Sequence, residues 1–220
     1  MLFETLESRS LMSVSPFTTQ VEIDRLDVRA ALLKFRYDAV TSTATLVADC
    51  SALQTADLKQ DATLAPLFRA LHKEVKAMRH TLDLDLLNES SAVLKDESVI
   101  DAELVKYASD NGNEAARTAD RIQLRKDRVQ LEDDEIAGLN ARLATRESEQ
   151  TALTADLNAI TTALGTDTGA SSALKAAVTT FVTDRTASLA LFETDLQGII
   201  TARTQLVTDL NASLSSTAST

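Results

Sequence analysis

Apolar residues recur at alternating steps of three and four along most of the chain, and no other feature constrains the fold as tightly. Ile23, Leu26, Ala30, Leu33, Tyr37, Val40, Ala44 and Val47 are spaced 3-4-3-4-3-4-3. With about 3.6 residues per helical turn, these side chains share one stripe, and their mean step is that of a heptad repeat. Leu53 and Leu58 extend this helix after a shift of register, while Thr43, Thr45 and Thr55 are weak helix formers that let its end fray. A break is expected over 59–66, where Asp61 or Thr63 can cap a new helix and Pro66 fits its first turn. Leu64, Phe68, Leu71, Val75, Met78 and Leu82 then step 4-3-4-3-4. Asn88-Glu89-Ser90-Ser91 can interrupt this helix, and Val93, Leu94, Ile100, Leu104 and Tyr107 resume an apolar face.

Asp110-Asn111-Gly112-Asn113 reads as a loop. Beyond it Ile122, Val129 and Ile136 repeat at sevens. From Ile136 the 3-4 steps run through Leu139, Leu143, Arg146, Gln150, Leu153, Leu157, Ile160 and Leu164, with only Arg146 and Gln150 polar. Counted from Ala115, the helix amounts to about seven heptads and roughly 75 Å. Gly165-Thr166-Asp167-Thr168-Gly169 closes it, with glycine suited to the left-handed residue past a helix end. Ser171 or Ser172 can cap a last helix carrying Leu174, Val178, Phe181, Leu189, Phe192, Leu196, Ile199, Arg203, Leu206 and Leu210.

Short loops between long helices make them antiparallel. The expected fold is all-α, built of elongated antiparallel helical hairpins or a coiled-coil bundle of about four long helices. Residues 1–20 form an N-terminal tail, 21–109 a first hairpin, 110–113 a loop, 114–212 a second, longer hairpin and 213–220 a polar tail. One apolar face is expected per helix. Aromatics at 4%, five glycines and two prolines are too few for a turn-rich β-sandwich or barrel. The single cysteine excludes a disulfide scaffold within the chain. A net charge of −11 opposes general nucleic-acid binding, which draws on basic surface. No apolar run approaches the roughly 18 residues that span a bilayer, so no transmembrane segment is expected.

The residues that could carry chemistry do not assemble into a recognised pattern. His72 and His80 are eight apart on one helix, but Arg69 and Ala77 stand where a di-iron helix would have carboxylates. Cys50 has no histidine at helical spacing and is expected to be a buried small hydrophobe. Glu132-Asp133-Asp134-Glu135 occupies consecutive helix positions, which fan out round the axis and cannot converge on one ion. Asp110-Asn111-Gly112-Asn113-Glu114 lacks the ligand spacing of an EF-hand. Arg117, Arg121, Arg125 and Arg128 step 4-4-3 and form one stripe, open to an anion or an acidic partner or else a solvated face answering nearby acids, as Arg128 to Glu132. No catalytic, cofactor-binding or metal-binding set is expected, no cofactor, and no small-molecule substrate.

The N-terminus holds one motif. Glu4, Glu7 and Arg9 interrupt the apolar core of about 7–15 residues that an ordinary secretory signal has. Leu6, Glu7, Ser8, Arg9, Ser10, Leu11, Met12 and Ser13 instead resemble the LEPR-XLL N-terminal motif found in many planctomycete and related bacterial proteins. Ser8 stands where that motif most often has proline, and Met12 where it most often has leucine. The resemblance implies a sorting tag on an exported or surface protein, and it covers eight residues of 220. The chain is therefore expected to be a non-enzymatic coiled-coil protein, structural or adhesive, at the cell surface or outside the cell. Its expected partners are proteins, by self-association or through a helical partner. The alternative is a cytoplasmic or periplasmic coiled-coil adaptor or holdase, for which Leu94, Leu124 and Leu131 lie off the main seams.

Overall fold

The computed structural model describes residues 19–217, without the side chains of Thr19, Leu82, Asp85, Leu86, Glu89, Ser216 and Thr217. Among the described residues there are four α-helices and one short 3-10 turn, and no strand. The helices are α1 (Thr19–Thr55), α2 (Leu64–Ser109), α3 (Glu114–Thr166) and α4 (Ser172–Thr217). At about 1.5 Å per residue, the 53 residues of α3 extend roughly 80 Å. Residues 1–18, with the Leu6–Ser13 motif, lie outside the described span.

Local chemistry sets the helix ends. Leu58–Gln60 forms the 3-10 turn after α1, entered through Asp57 in the left-handed region at φ 61°. The Asp61 carboxylate accepts the backbone N–H groups of Thr63 and Leu64 and so caps α2, whose Pro66 sits where an N–H has no helical partner anyway. α2 continues through Asn88–Ser91 as one 46-residue helix. Asn113 accepts the Ala116 N–H at the start of α3, and Gly112 takes φ 99° in the preceding turn. Ser171 caps α4 through the Leu174 N–H. Gly165 and Gly169 are not left-handed, contrary to expectation; the loop there is turned by Asp167, whose carboxylate accepts from Gly169 and Ala170. α4 runs on to Thr217 rather than giving way to a tail at 213. The threonines do not fray α1: the hydroxyls of Thr43, Thr45 and Thr55 bond the carbonyls four residues back.

The pairing of the helices departs from two hairpins. α3 and α4 pair as expected, but α1 lies along α4 and α2 along α3, so the spatial order is α1–α4–α3–α2 and residues 21–109 do not close as a hairpin of their own. Where the loops 56–63 and 167–171 meet, all four helices converge on one apolar cluster. Leu53, Leu64, Leu71, Met78, Leu153, Leu157, Ile160, Leu174, Val178, Phe181 and Leu189 fill it, and the Phe68 and Phe181 rings stack at 5.3 Å. Further along, Leu139, Leu196 and Ile199 join Phe35 and Phe192, and then Val21 and Val28 of α1 meet Leu206 and Leu210 of α4. These last two clusters hold no residue of α2.

The seams of α3 beyond Ile136, of α4 and of the first half of α2 are thus the buried faces that their spacing implies. α1 is different, because it buries Val21, Val28 and Leu53 and turns the unbroken seam from Ile23 to Val47 outward. Leu153→Ala should destabilise the protein by about 2–5 kcal/mol, since its side chain is fully enclosed. Leu33→Ala should cost about 0.5 kcal/mol or less in dilute solution. Urea unfolding of the two variants checks the contrast, and a large loss for Leu33→Ala would refute the outward assignment.

Candidate functional site

At 100° per residue, the eight seam positions of α1 lie about 180° from the face that meets α4. The buried stripe reads Val21, Asp24, Val28, Leu32, Phe35, Leu46, Asp49, Leu53, and it is joined to α4 by the edge-to-face pair Phe35–Phe192 at 5.2 Å and by Lys34 bonding Asp195. The opposite stripe leaves Ile23, Leu26, Leu33, Tyr37, Val40 and Val47 between 42% and 71% exposed. A shallow apolar hollow lies within it, lined by Ala39, Val40, Thr43 and Ala44. Scattered exposed leucines are ordinary, but a contiguous stripe about 36 Å long marks an interaction surface. Each helix was expected to have one apolar face; α1 has two, and among the described residues only one has a neighbour. α2 repeats this more weakly, with Leu84, Leu87, Leu94 and Val105 exposed.

The polar interior was not anticipated by sequence reasoning. Asp24, Asp49, Asp96, Asp120, Glu135, Asp195 and Arg203 are buried. Three of these acids meet another acid across a helix interface. Asp24 faces Asp209 of α4, with Asp27 and the Gln20 amide also near. Asp49 faces Asp184 of α4, and Asp96 of α2 faces Asp134 of α3, with Asp127 and Lys95 close by. Desolvation first, and then the facing carboxylate, hold Asp24, Asp49 and Asp96 above the ordinary aspartate range. Asp120 goes the other way, because the Lys106 ammonium at 2.9 Å bonds its carboxylate. Arg203 is enclosed with Glu132 and Glu135, one turn apart on α3. The acidic run 132–135 therefore serves two helices, Glu132 and Glu135 turning to α4 while Asp134 turns to α2. Asp24 sits in 3-4 phase with Val21 and Val28, which was the available signal for its burial.

The remaining candidates are dispersed. Arg117 and Arg121 close on Tyr107 of α2, their guanidinium carbons 4.7 and 5.7 Å from its ring centre, and both donate to its hydroxyl. That pair holds the Tyr107 phenol below the usual tyrosine range. Arg128 is half-buried, and burial and Arg25 of α1 lower its pKa. Burial, followed by Arg121, does the same to Arg125. The stripe is thus split between two helix interfaces rather than solvated along its length, and Glu132 is taken by Arg203 instead of Arg128. Arg146 keeps its place in the α3 seam by lying 4.2 Å above the Phe192 ring, with burial and then Arg185 pushing it down to about 10. His72 and His80 are exposed on α2. Cys50 is exposed rather than buried, because spacing from Leu46 and Leu53 gives the inward position to Asp49. Partial desolvation, reinforced by Asp49, pushes its thiol up.

Compared with known protein families, with curated proteins and with solved structures, the chain matches none. Among the described residues no helix is long and apolar enough to cross a membrane.

The facing acids set a pH dependence. A raised folded pKa contributes stability that is complete below the unfolded value near 3.9 and is lost as pH rises through the folded value. These three acids should therefore lower the melting temperature as pH rises above the unfolded value. Asp24→Asn, Asp49→Asn and Asp96→Asn together should flatten that fall and raise the melting point at the alkaline end; a wild-type protein that melts higher at pH 8 than at pH 5 would contradict the assignment. In a Tyr37→Phe background, the Tyr107 phenolate should appear below the usual pH near 10 and return toward it when Arg117 and Arg121 become glutamine, as followed by ultraviolet titration.

Proposed function

We propose that this chain is a non-enzymatic coiled-coil rod with a structural or adhesive role, exported or held at the cell surface. The observation that carries the first part is the outward stripe of α1, an apolar surface with helical spacing and no neighbour among the described residues. Such a face recognises another helix by interdigitation. The location rests on the resemblance of Leu6–Ser13 to the LEPR-XLL motif. Cell fractionation with sequencing of the mature N-terminus tests it. The protein is expected in the envelope or the medium, and intact chain retaining Met1–Ser13 in the cytosol would remove the surface assignment.

A second reading, an intracellular or periplasmic adaptor or holdase, draws on the exposed Leu84, Leu87, Leu94 and Val105 of α2; of the off-seam leucines expected to serve it, Leu94 is exposed, but Leu124 is buried and Leu131 half-buried. It requires that these residues grip client proteins. Suppression of aggregation of a heat-denatured client, lost in Leu87→Lys with Leu94→Lys, would favour it over the structural role.

A further inference from the structure

The stripe on α1 specifies its occupant through its period, its flanking charges and its hollow. A step of 3-4 sustained from Ile23 to Val47 matches the period of another α-helix. With Ile23, Ala30, Tyr37 and Ala44 at heptad position a and Leu26, Leu33, Val40 and Val47 at d, position g holds Glu22, Arg29, Arg36, Thr43 and Cys50. Position e holds Asp27, Lys34, Thr41 and Ala48. A parallel second copy sets the acids Glu22 and Asp27 against each other, twice by symmetry, and this opposes it; its Arg29 would face Lys34, whose ammonium already bonds Asp38 and Asp195.

An antiparallel copy pairs g with g and e with e. In the register that places Tyr37 opposite Val40, Arg36 meets Thr43, Arg29 meets Cys50, Lys34 meets Thr41 and Asp27 meets Ala48, so no like charges face each other between the paired helices, and Glu22 alone comes beside an acid, Asp57, past the end of α1. The same register sets Leu33 against Ala44 and Ala30 against Val47, a large residue opposite a small one. Leu33 then enters the hollow lined by Ala39, Val40, Thr43 and Ala44. Ile23 and Leu26 come to lie over Gln54 and Ser51 at the ends of the contact.

We propose that two copies of this chain pair antiparallel through the outward face of α1, the Leu33 of each filling the hollow beside Ala44 of the other. This rests on the reading of the chain as a helical rod that works through protein contacts. Each of the six large side chains gives up on the order of 100 Å². Two copies together then hide about 1,200 Å², the small end of specific interfaces, and the pairing is reversible and concentration-dependent.

Sedimentation of the full-length protein over a range of concentrations should show a monomer–dimer equilibrium. Leu33→Lys with Tyr37→Lys should return it to monomer with unchanged helix content and melting point. Leu84→Lys with Leu94→Lys on α2 should leave the dimer intact. A nitroxide on Cys50, the only cysteine, reports orientation in the wild-type chain. The antiparallel register sets the two labels about 35 Å apart along the axis, whereas a parallel one brings them within about 15 Å. A wild-type monomer at the highest soluble concentration, a dimer that survives Leu33→Lys with Tyr37→Lys, or a short Cys50–Cys50 distance each overturns the pairing. Small-angle scattering separates the two levels: a monomeric rod about 80 Å long defeats only the pairing, while a particle without that elongation defeats the rod reading as well.

Discussion

Interdigitation of α3 with α4 is the contact on which the rest depends. Leu153, Leu157 and Ile160 on one helix and Leu174, Val178, Leu196 and Ile199 on the other are among the most enclosed side chains of the described residues, with Leu139 and Leu189 buried beside them. They run from Leu139 to Ile160 on α3 and from Leu174 to Ile199 on α4, and over that stretch the pair serves as a spine. α1 then packs on the α4 side and α2 on the α3 side. A slender rod has a poor ratio of volume to surface. Its outer helices have neighbours on one side only, and any apolar residue they carry elsewhere meets water or a partner.

That constraint explains the uneven behaviour of α2. Up to Met78 it belongs to the cluster in which four helices converge. Beyond it, the contacts of α2 with α3 include polar ones, Lys106 on Asp120 and Tyr107 between Arg117 and Arg121, while Asp96 faces Asp134. Ion pairs that are partly in water contribute little each, so this half of α2 depends on several acting together. The same economy of apolar residues accounts for the buried acids. Where α1 meets α4 the inward stripe runs out of aliphatic residues at Asp24 and Asp49, and each aspartate shares its site with another. Such pairs are favourable only while at least one carboxyl of each keeps a proton, which links the cohesion of the rod to pH.

Much of this was legible in the spacing of apolar residues. The α4 seam from Leu189 to Leu210 and the α3 seam from Leu139 to Ile160 bury the positions that step by three and four, including the enclosed Arg203. Asp61, Asn113 and Ser171 cap helices as their side chains suggest. The candidate site was legible as a stripe but not as a site. Ile23 to Val47 is the cleaner of two apolar stripes on α1, and periodicity pointed to that one alone, as the face expected to pack. The inward stripe is broken by Asp24 and Asp49, residues that hydropathy reads as solvent-facing. Tyr107 as the partner of Arg117 and Arg121 was out of reach for a related reason, since it lies on a different helix and only the stagger of α2 against α3 brings it there.

The sequence by itself determined that the chain is helical and where its main turns fall, because periodicity, capping and turn chemistry act within a few residues. Only the tertiary structure decided which helix lies beside which, that α1 turns its unbroken seam away from the bundle, and that acids meet in pairs across the interfaces. Those outcomes depend on rotations and staggers of whole helices, set by the summed burial along tens of ångströms, and no local stretch of sequence encodes that sum.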